Sequence, residues 1–226
     1  MQPFPGPANI WPHGPDLWHL YALPDPSQPE LTRLIDATRA VALDAGAAAL
    51  AVVEPRFLHT TIQKLTLPPN SVTSTDLEAL AADLRARLSS LQSFTLHARW
   101  PQAGAGGVEL DLFDPHPHAP WNTLAATIRA GIEARFGPAA IEAESPLPHL
   151  TVAYCAQPMD SGTVQARLRR QVRLPDAPFP VTAVHLLRVR QDPDKHTYEW
   201  TESQSMRIPL GLTLDHGGGA QHIIEV

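Results

Sequence analysis

Hydrophobic and polar residues follow two periods along the chain, and these predict helices and strands in alternation. Apolar residues recur at helical spacing in four stretches, at positions 29–44, 77–88, 121–136 and 161–172. Runs rich in β-branched and aromatic residues predict strands at positions 17–23, 56–67, 94–100, 108–113, 149–155, 179–190 and 196–210. The third and fourth of these strands are expected to pair as a hairpin across a glycine-rich turn. The pattern therefore predicts an α+β protein.

The order strand, helix, strand, helix, strand occurs twice. Leu17 precedes Val108 by 91 residues and Leu77 precedes Val164 by 87 residues, so equivalent elements lie a nearly constant interval apart. Residue identity between the halves is weak, which makes this a repeat of pattern. We expect two lobes related by an approximate two-fold axis, with equivalent strands on either side of one central groove.

A short motif stands at the same place in each half. His59-Thr60-Thr61 and His149-Leu150-Thr151 lie 90 residues apart, each in an apolar run. Because a strand alternates its faces, each histidine shares a face with the threonine two residues later. If the two strands lie side by side, two imidazoles and two hydroxyl groups meet in one pocket.

This set of side chains suits a phosphodiester in reaction. Histidine has an ordinary pKa of about 6.5 and can serve as base or acid near neutrality. A threonine hydroxyl can donate a hydrogen bond to a non-bridging phosphate oxygen, which carries charge throughout the transition state. His59 and His149 are therefore candidate proton-transfer groups, and Thr61 and Thr151 are candidate phosphate-binding groups.

Several neighbouring residues have two explanations each. Gln63 shares the predicted face of the first motif, so it either contacts substrate or forms the polar end of a strand. Arg188 and Arg190 share a face and either supply positive charge beside the groove or line a solvated edge. Tyr154 is predicted to point away from the second motif histidine, into the packing. One of four tryptophans could stack on a base, although core packing explains each of them better: Trp18, Trp100, Trp121 and Trp200.

Proline marks the predicted boundaries. The chain has 24 prolines, and positions 1–15 hold five of them with two glycines, which predicts a poorly ordered lead-in that Trp11 could anchor. Positions 16–212 are predicted to form one bilobed domain. Positions 213–226, with three consecutive glycines, are predicted to form a flexible tail. The second helix has Ser71, Ser74 and Thr75 as candidate N-caps.

Cysteine content and hydropathy bear on location and assembly. Cys155 is the single cysteine, which excludes an intrachain disulfide and a thiolate metal cage. No apolar run is long enough to cross a membrane and no signal-peptide pattern is visible, so we expect a cytoplasmic protein without a membrane partner. We also expect a monomer.

Charge and motif content limit the partners. The chain has 23 acidic and 17 basic residues, giving a formal net charge of −6, whereas proteins that grip long nucleic acids usually present a basic face. We therefore favour a small nucleotide or the end of an RNA as substrate, with no extended nucleic-acid footprint. His116 and His118 alternate with prolines in a polar loop and have no partner cluster, which argues against a metal site. No glycine-rich phosphate loop is present, and we predict no cofactor.

The two motifs, their separation and their context together resemble the two-histidine (2H) phosphoesterase superfamily, the LigT-like group of 2′-5′ RNA ligases and cyclic phosphodiesterases. The resemblance runs from about Asp16 to Leu210 and includes Trp18-His19-Leu20-Tyr21, Pro148, Tyr154 and Tyr198-Glu199-Trp200. It implies a bilobed fold with two antiparallel sheets around a groove and helices outside. It also implies metal-independent cleavage of 2′,3′-cyclic phosphates or related RNA-end chemistry, with the two histidines as acid and base in unassigned order. Thr60, a second threonine after the first histidine, departs from the family's pattern.

A second hypothesis needs the same residues. A non-catalytic module could use the same groove to hold a cyclic nucleotide or an RNA end. Intact histidines do not separate the two possibilities, because both need the groove and its donors.

Overall fold

The computed structural model describes residues 1–6, 10–141 and 147–211. Four helices and ten strands alternate along these residues. The helices are α1 Pro29–Gly46, α2 Ser74–Leu88, α3 Pro120–Phe136 and α4 Ser161–Gln171. The strands are β1 Asp16–Ala22, β2 Leu50–Val52, β3 Thr60–Leu65, β4 Phe94–Ala103, β5 Gly107–Phe113, β6 His149–Cys155, β7 Ala177–Val181, β8 Ala183–Asp192, β9 Thr197–Glu199 and β10 Ser205–Pro209. None of the helices in the described ranges has the length and apolar content needed to cross a bilayer.

The strands form two five-stranded antiparallel sheets. Sheet A has the order β10-β8-β1-β3, with β9 paired to β8, and sheet B has the order β2-β6-β5-β4-β7. Helices α2 and α3 pack against each other and against strands of sheet A, and α1 and α4 pack likewise against sheet B. Alternate residues of each strand turn toward these helices and form the core, since apolar area is removed from water there. The predicted fold class is confirmed.

The two halves exchange their last long strand. β4, which ends the first half, pairs with β5 of the second half, and β8 of the second half pairs with β1 of the first. The predicted hairpin between β4 and β5 is therefore confirmed, and the exchange ties the two lobes into one unit. Each motif strand, β3 or β6, lies next to the first strand of its own half.

Two strand predictions are wrong near the end of the chain. The run predicted as one strand at 179–190 breaks at Thr182, so that β7 joins sheet B while β8 joins sheet A. The run at 196–210 divides into β9, a short 3₁₀ turn and β10. The first break carries no turn signal in the sequence, whereas the second coincides with the polar stretch Thr201–Ser205. The first motif strand is also shorter than predicted, because a 3₁₀ turn at Pro55–Phe57 precedes it and β3 begins at Thr60.

The proline-rich lead-in is packed where the structure describes it. Phe4 is 4% exposed and Trp11 is 7% exposed, so the prediction of a poorly ordered segment is wrong for these residues, and Trp11 does anchor it. The predicted tail at 213–226 lies outside the described residues, as does most of the loop before the second motif.

Helix α2 begins with a capping box. The Thr73 hydroxyl accepts a hydrogen bond from the Asp76 amide at 3.1 Å, and the Asp76 carboxylate accepts one from the Thr73 amide at 3.2 Å. The three candidates proposed from the sequence, Ser71, Ser74 and Thr75, are not the cap. The box satisfies two amide groups that a helix start leaves without intrahelical partners.

Replacing Thr73 by alanine should lower the free energy of unfolding by about 1 kcal/mol, since an N-cap hydroxyl contributes roughly that much. Ser74→Ala is the matched control, because Ser74 is the exposed first residue of the same helix, and it should change stability by less than about 0.5 kcal/mol. Urea unfolding of both variants measures the difference. Equal losses in the two variants would contradict the assigned cap.

Candidate active site

A β-bulge follows the threonine of each motif. In the β1–β3 ladder Tyr21 pairs with Thr61 and Leu20 pairs with Gln63, so Ile62 is the extra residue. In the β5–β6 ladder Glu109 pairs with Thr151 and Val108 pairs with Ala153, so Val152 is the extra residue. A bulge shifts the alternation of faces by one residue. The residue three positions after each motif threonine therefore lies on the same face of the strand as that threonine. This face borders the groove.

Each motif imidazole is held by the same hydrogen bond. His59 Nδ1 lies 2.8 Å from the carbonyl oxygen of Phe57, and His149 Nδ1 lies 2.8 Å from that of Leu147. A carbonyl only accepts, so Nδ1 donates in both rings and carries the proton of the neutral form. The other ring nitrogen, Nε2, is left to act on a ligand in both halves.

His59 is enclosed by aromatic rings. Its ring stacks on Tyr21 with centroids 4.0 Å apart, and Trp200 and Tyr198 meet it edge-on at 5.5 and 5.9 Å. Only 7% of the residue is exposed. Burial lowers the pKa of His59 to about 4, because the imidazolium loses its water; the hydrogen bond to Phe57 opposes this, and the charge of His149 lowers the pKa further. His59 is therefore neutral at pH 7.

The structure brings the two histidines to one site. Strands β3 and β6 contact each other, and the charge of His149 is among the causes that lower the pKa of His59. Their surroundings differ, however, since His149 is partly exposed while His59 is buried. Identical motifs thus sit in unequal environments.

Each motif threonine lies beside a tyrosine. The hydroxyl of Thr61 is close to the phenol of Tyr21, and that of Thr151 is close to the phenol of Tyr154. Tyr21 Oη nevertheless makes no hydrogen bond of standard geometry within the described part of the chain. Burial, followed by the neighbouring Tyr198, raises the pKa of both phenols well above 10, so both remain neutral donors.

The position of Tyr154 corrects a prediction made from the sequence. Strict alternation predicted that it points away from His149, but the bulge at Val152 returns it to the face of Thr151. The same bulge in the first half returns Lys64 to the face of Thr61. The charge of Lys64 contributes to lowering the pKa of the buried His19, after burial itself, so Lys64 adds a cation at this face. Sequence reasoning missed Lys64 because a bulge leaves no clear signal in one sequence.

The register also locates the three weaker candidates from the sequence, Gln63, Arg188 and Arg190. The bulge turns Gln63 to the helix side, where its amide oxygen accepts a hydrogen bond from Arg129 at 2.9 Å. Arg188 and Arg190 share the face of β8 that is opposite to the one facing Tyr21, and Arg188 pairs with Asp16 at 3.0 Å. The register places Gln63 on the helix side, in favour of its structural explanation, whereas Arg188 and Arg190 line a pocket together with Phe57 and Trp200, so a substrate contact of the two arginines stays a prediction.

No metal cluster accompanies the site in the residues that the structure describes, where no group of three or more His, Cys, Asp or Glu side chains converges. His116 and His118 are exposed in the loop before α3. A cavity of about 650 Å³ lies beyond Trp200 and Leu58 and includes Arg39, Arg56 and Arg207 in its lining. Neither motif imidazole lines it, so the site is defined by the paired motif side chains and not by this cavity.

Solved structures share the fold at low identity. TT0787 of Thermus thermophilus is 17% identical, with a TM-score of 0.59 over 85% of this chain and 97% of that chain. Apo LigT of E. coli is 18% identical, with a TM-score of 0.53 over 88% and 99%. LigT complexed with 3′-AMP is 16% identical, with a TM-score of 0.52 over 87% and 95%. No curated protein matches the chain by sequence.

A family model covers most of the chain. The model of the 2′-5′ RNA ligase superfamily matches residues 23–193, a range that contains both motifs, the two bulges and the exchanged strands. This agrees with the fold, with the paired motifs and with the resemblance to the 2H phosphoesterases. The chain belongs to the 2′-5′ RNA ligase superfamily.

Proposed function

We propose that the protein is a metal-independent phosphodiesterase that acts on 2′,3′-cyclic phosphates or 2′-5′-linked nucleotides and RNA ends. The observation that carries the proposal is the pair of motif imidazoles, each oriented by the same backbone hydrogen bond and each beside or within one of two strands, β3 and β6, that contact each other. In-line displacement at phosphorus needs a base on one side and an acid on the other. Two imidazoles with equivalent orientation meet that requirement.

The unequal burial of the two rings supports an order of roles. His59 is neutral at pH 7 and offers the lone pair of Nε2, so it serves as the base that takes a proton from the attacking water. The water oxygen forms a bond to phosphorus as the bond from phosphorus to one ribose oxygen breaks. His149, the partly exposed ring, takes the role of acid and donates the proton on its Nε2 to the departing oxygen. The rings then return to their starting states by proton exchange with solvent.

Neutral donors stabilise the phosphate between the rings. Thr61 and Thr151 face the same groove, and their hydroxyl groups bind the non-bridging oxygens. The phenols of Tyr21 and Tyr154 lie beside these hydroxyls. Lys64 adds positive charge on the same face of β3.

Nucleotides are the substrate class that these features support. LigT of E. coli, which shares the fold, has been solved in complex with 3′-AMP. The net charge of −6 is unfavourable for a long polyanionic footprint, and the aromatic rings around His59 suit stacking on one base. A short nucleotide or an RNA terminus fits both facts.

Substituting either motif histidine should abolish most of the turnover. His59→Ala and His149→Ala should each lower kcat for a 2′,3′-cyclic nucleotide by roughly 10²- to 10⁴-fold, the usual worth of one positioned proton-transfer group. Activity in EDTA should equal activity without it. His118→Ala, in the exposed loop before α3, is the control and should leave kcat unchanged. Release of the phosphomonoester measures all four cases.

Other outcomes separate the alternatives. Full activity in both histidine variants would rule out the mechanism, and loss of activity on chelation would require a metal. Tight binding of the cyclic nucleotide without turnover would favour the non-catalytic binding module.

The pH dependence of kcat/KM tests the role of His59. Because its pKa lies near 4 and not at the ordinary 6.5, the base form should persist on acidification, and the acid limb should fall only as pH drops toward 4. Trp200→Ala should admit water to the ring and move that limb upward toward 6.5. An acid limb near the ordinary histidine pKa in the unsubstituted protein, or one that does not move in the folded variant, would contradict the assignment.

A further inference from the structure

An exposed pair of aromatic rings lies on sheet B. Trp100 is 64% exposed and Phe113 is 41% exposed, although large apolar side chains are usually removed from water. The guanidinium of Arg99 lies between them, 4.0 Å from the centroid of each ring. Core packing, which the sequence favoured for Trp100, is therefore wrong for this residue. Trp100, Arg99 and Phe113 are called the platform below.

The platform lies beside His149 across the sheet. Asp111 of β5 pairs with His149 of β6 on one side and with Arg99 of β4 on the other. Because directly paired residues share a face, Arg99 faces the same way as His149, and at about 4.8 Å per strand their Cα atoms are about 10 Å apart. Phe113, two residues after Asp111 on β5, shares that face. The base of a nucleoside whose ribose contacts His149 can therefore reach the platform.

The backbone and an ion pair fix the orientation of the platform. Trp100 is the extra residue of a β-bulge, since Arg99 pairs with Asp111 and Pro101 pairs with Leu110. Its φ of 42° lies in the left-handed region, which a bulky residue adopts only where the surrounding structure imposes it. Arg99 Nε donates a hydrogen bond to the Asp111 carboxylate at 3.1 Å, which holds the guanidinium against the rings. The indole is thus held by a cation and still keeps most of its surface open.

The charges around the platform favour the uncharged part of a nucleotide. Asp111 and Glu109 lie on the groove face of β5, since they pair with His149 and Thr151. Arg99 is neutralised by Asp111, and Glu109 adds a negative charge, so a phosphate is disfavoured on this side of the groove. Carboxylates do accept hydrogen bonds from ribose hydroxyls and from the amino groups of bases. The local charge therefore selects base and ribose over phosphate.

The size of the platform matches a small ligand better than a protein partner. A tryptophan and a phenylalanine bury about 150 to 250 Å² each when fully covered, so the two rings together offer less than about 500 Å². A stable protein interface takes about 800 Å² from each partner. A single base stacks on aromatic rings and on a guanidinium with little dependence on its identity. The platform has both kinds of surface.

We infer that the platform is a base-stacking site for the nucleoside that carries the departing ribose oxygen. The inference rests on the proposed function, in which His149 protonates that oxygen, so the nucleoside lies on the His149 side of the phosphate. Two of the rings around His59, Tyr21 and Tyr198, belong to sheet A, which makes the platform a second aromatic surface on the other sheet. Its side chains determine affinity and base preference without touching the reacting atoms. A purine stacks over a larger area and is favoured over a pyrimidine.

The test compares two substrates with the same reacting ring: 2′,3′-cyclic AMP, which has a base, and glycerol 1,2-cyclic phosphate, which has none. Trp100→Asn removes the indole and introduces a residue that tolerates positive φ. It should lower kcat/KM for the nucleotide by about tenfold, a typical effect of losing one stacked base, and leave kcat/KM for the glycerol compound unchanged. Trp100→Phe, which keeps an aromatic ring, should retain most of the activity on the nucleotide. Ile10→Asn is the matched control, because Ile10 lies in the lead-in and is 63% exposed, and it should change neither value.

The possible failures are distinguishable. An equal loss on both substrates, or no loss on the nucleotide, would overturn the platform while leaving the phosphodiesterase intact. If neither substrate is turned over, the proposed function fails, and calorimetry with 2′-AMP and glycerol 2-phosphate still tests the platform. Trp100→Asn should then weaken the binding of 2′-AMP alone, by about tenfold, and an unchanged affinity for 2′-AMP would overturn the inference. If thermal unfolding shows that Trp100→Asn does not fold, Phe113→Ala gives the same comparison.

Discussion

The site depends on the hydrogen bond that each motif imidazole donates to the carbonyl oxygen two residues before it. The bond is 2.8 Å long in both halves, and it fixes which ring nitrogen carries the proton. Without it, a histidine at the start of a strand would have two tautomers and a free rotation about χ2. The acceptors, Phe57 and Leu147, lie just before their strands, where the chain has not yet joined the ladder. The backbone just before each motif strand thus fixes the orientation of the motif imidazole.

The repeated pattern of the two halves gives the site an approximate symmetry, and the unequal burial of His59 and His149 removes it. The bulges at Ile62 and Val152 are equivalent and return Lys64 and Tyr154 to the same face of the groove. The residue type at that place differs between the halves, a cation in one and a phenol in the other. In the first half aromatic rings enclose His59, whereas His149 in the second half is partly exposed. A single repeated motif therefore occurs in two unequal environments, as the proposed division into base and acid requires.

The elements and the motif pair follow from the sequence, because both depend on local periodicity. The four helices, the β4–β5 hairpin and the equivalence of His59 with His149 are set by spacing that can be counted along the chain. The faces of Gln63 and Tyr154 could not be predicted, because one extra residue in a ladder reverses all later assignments on that strand. The break at Thr182 was also hidden, since strands in different sheets can follow one another without a turn residue. The sequence does not reveal the register of the strands, and the register determines which side chains face the groove.

The lead-in shows why composition predicts packing poorly. Proline and glycine do predict a lack of regular structure, but they do not predict a lack of packing: Phe4 and Trp11 are buried in a segment whose described residues form no helix or strand. The fixed φ of proline lowers the conformational entropy that such a segment loses when it is ordered. An irregular segment can therefore hold two aromatic rings against Tyr154 and Tyr198 at modest cost.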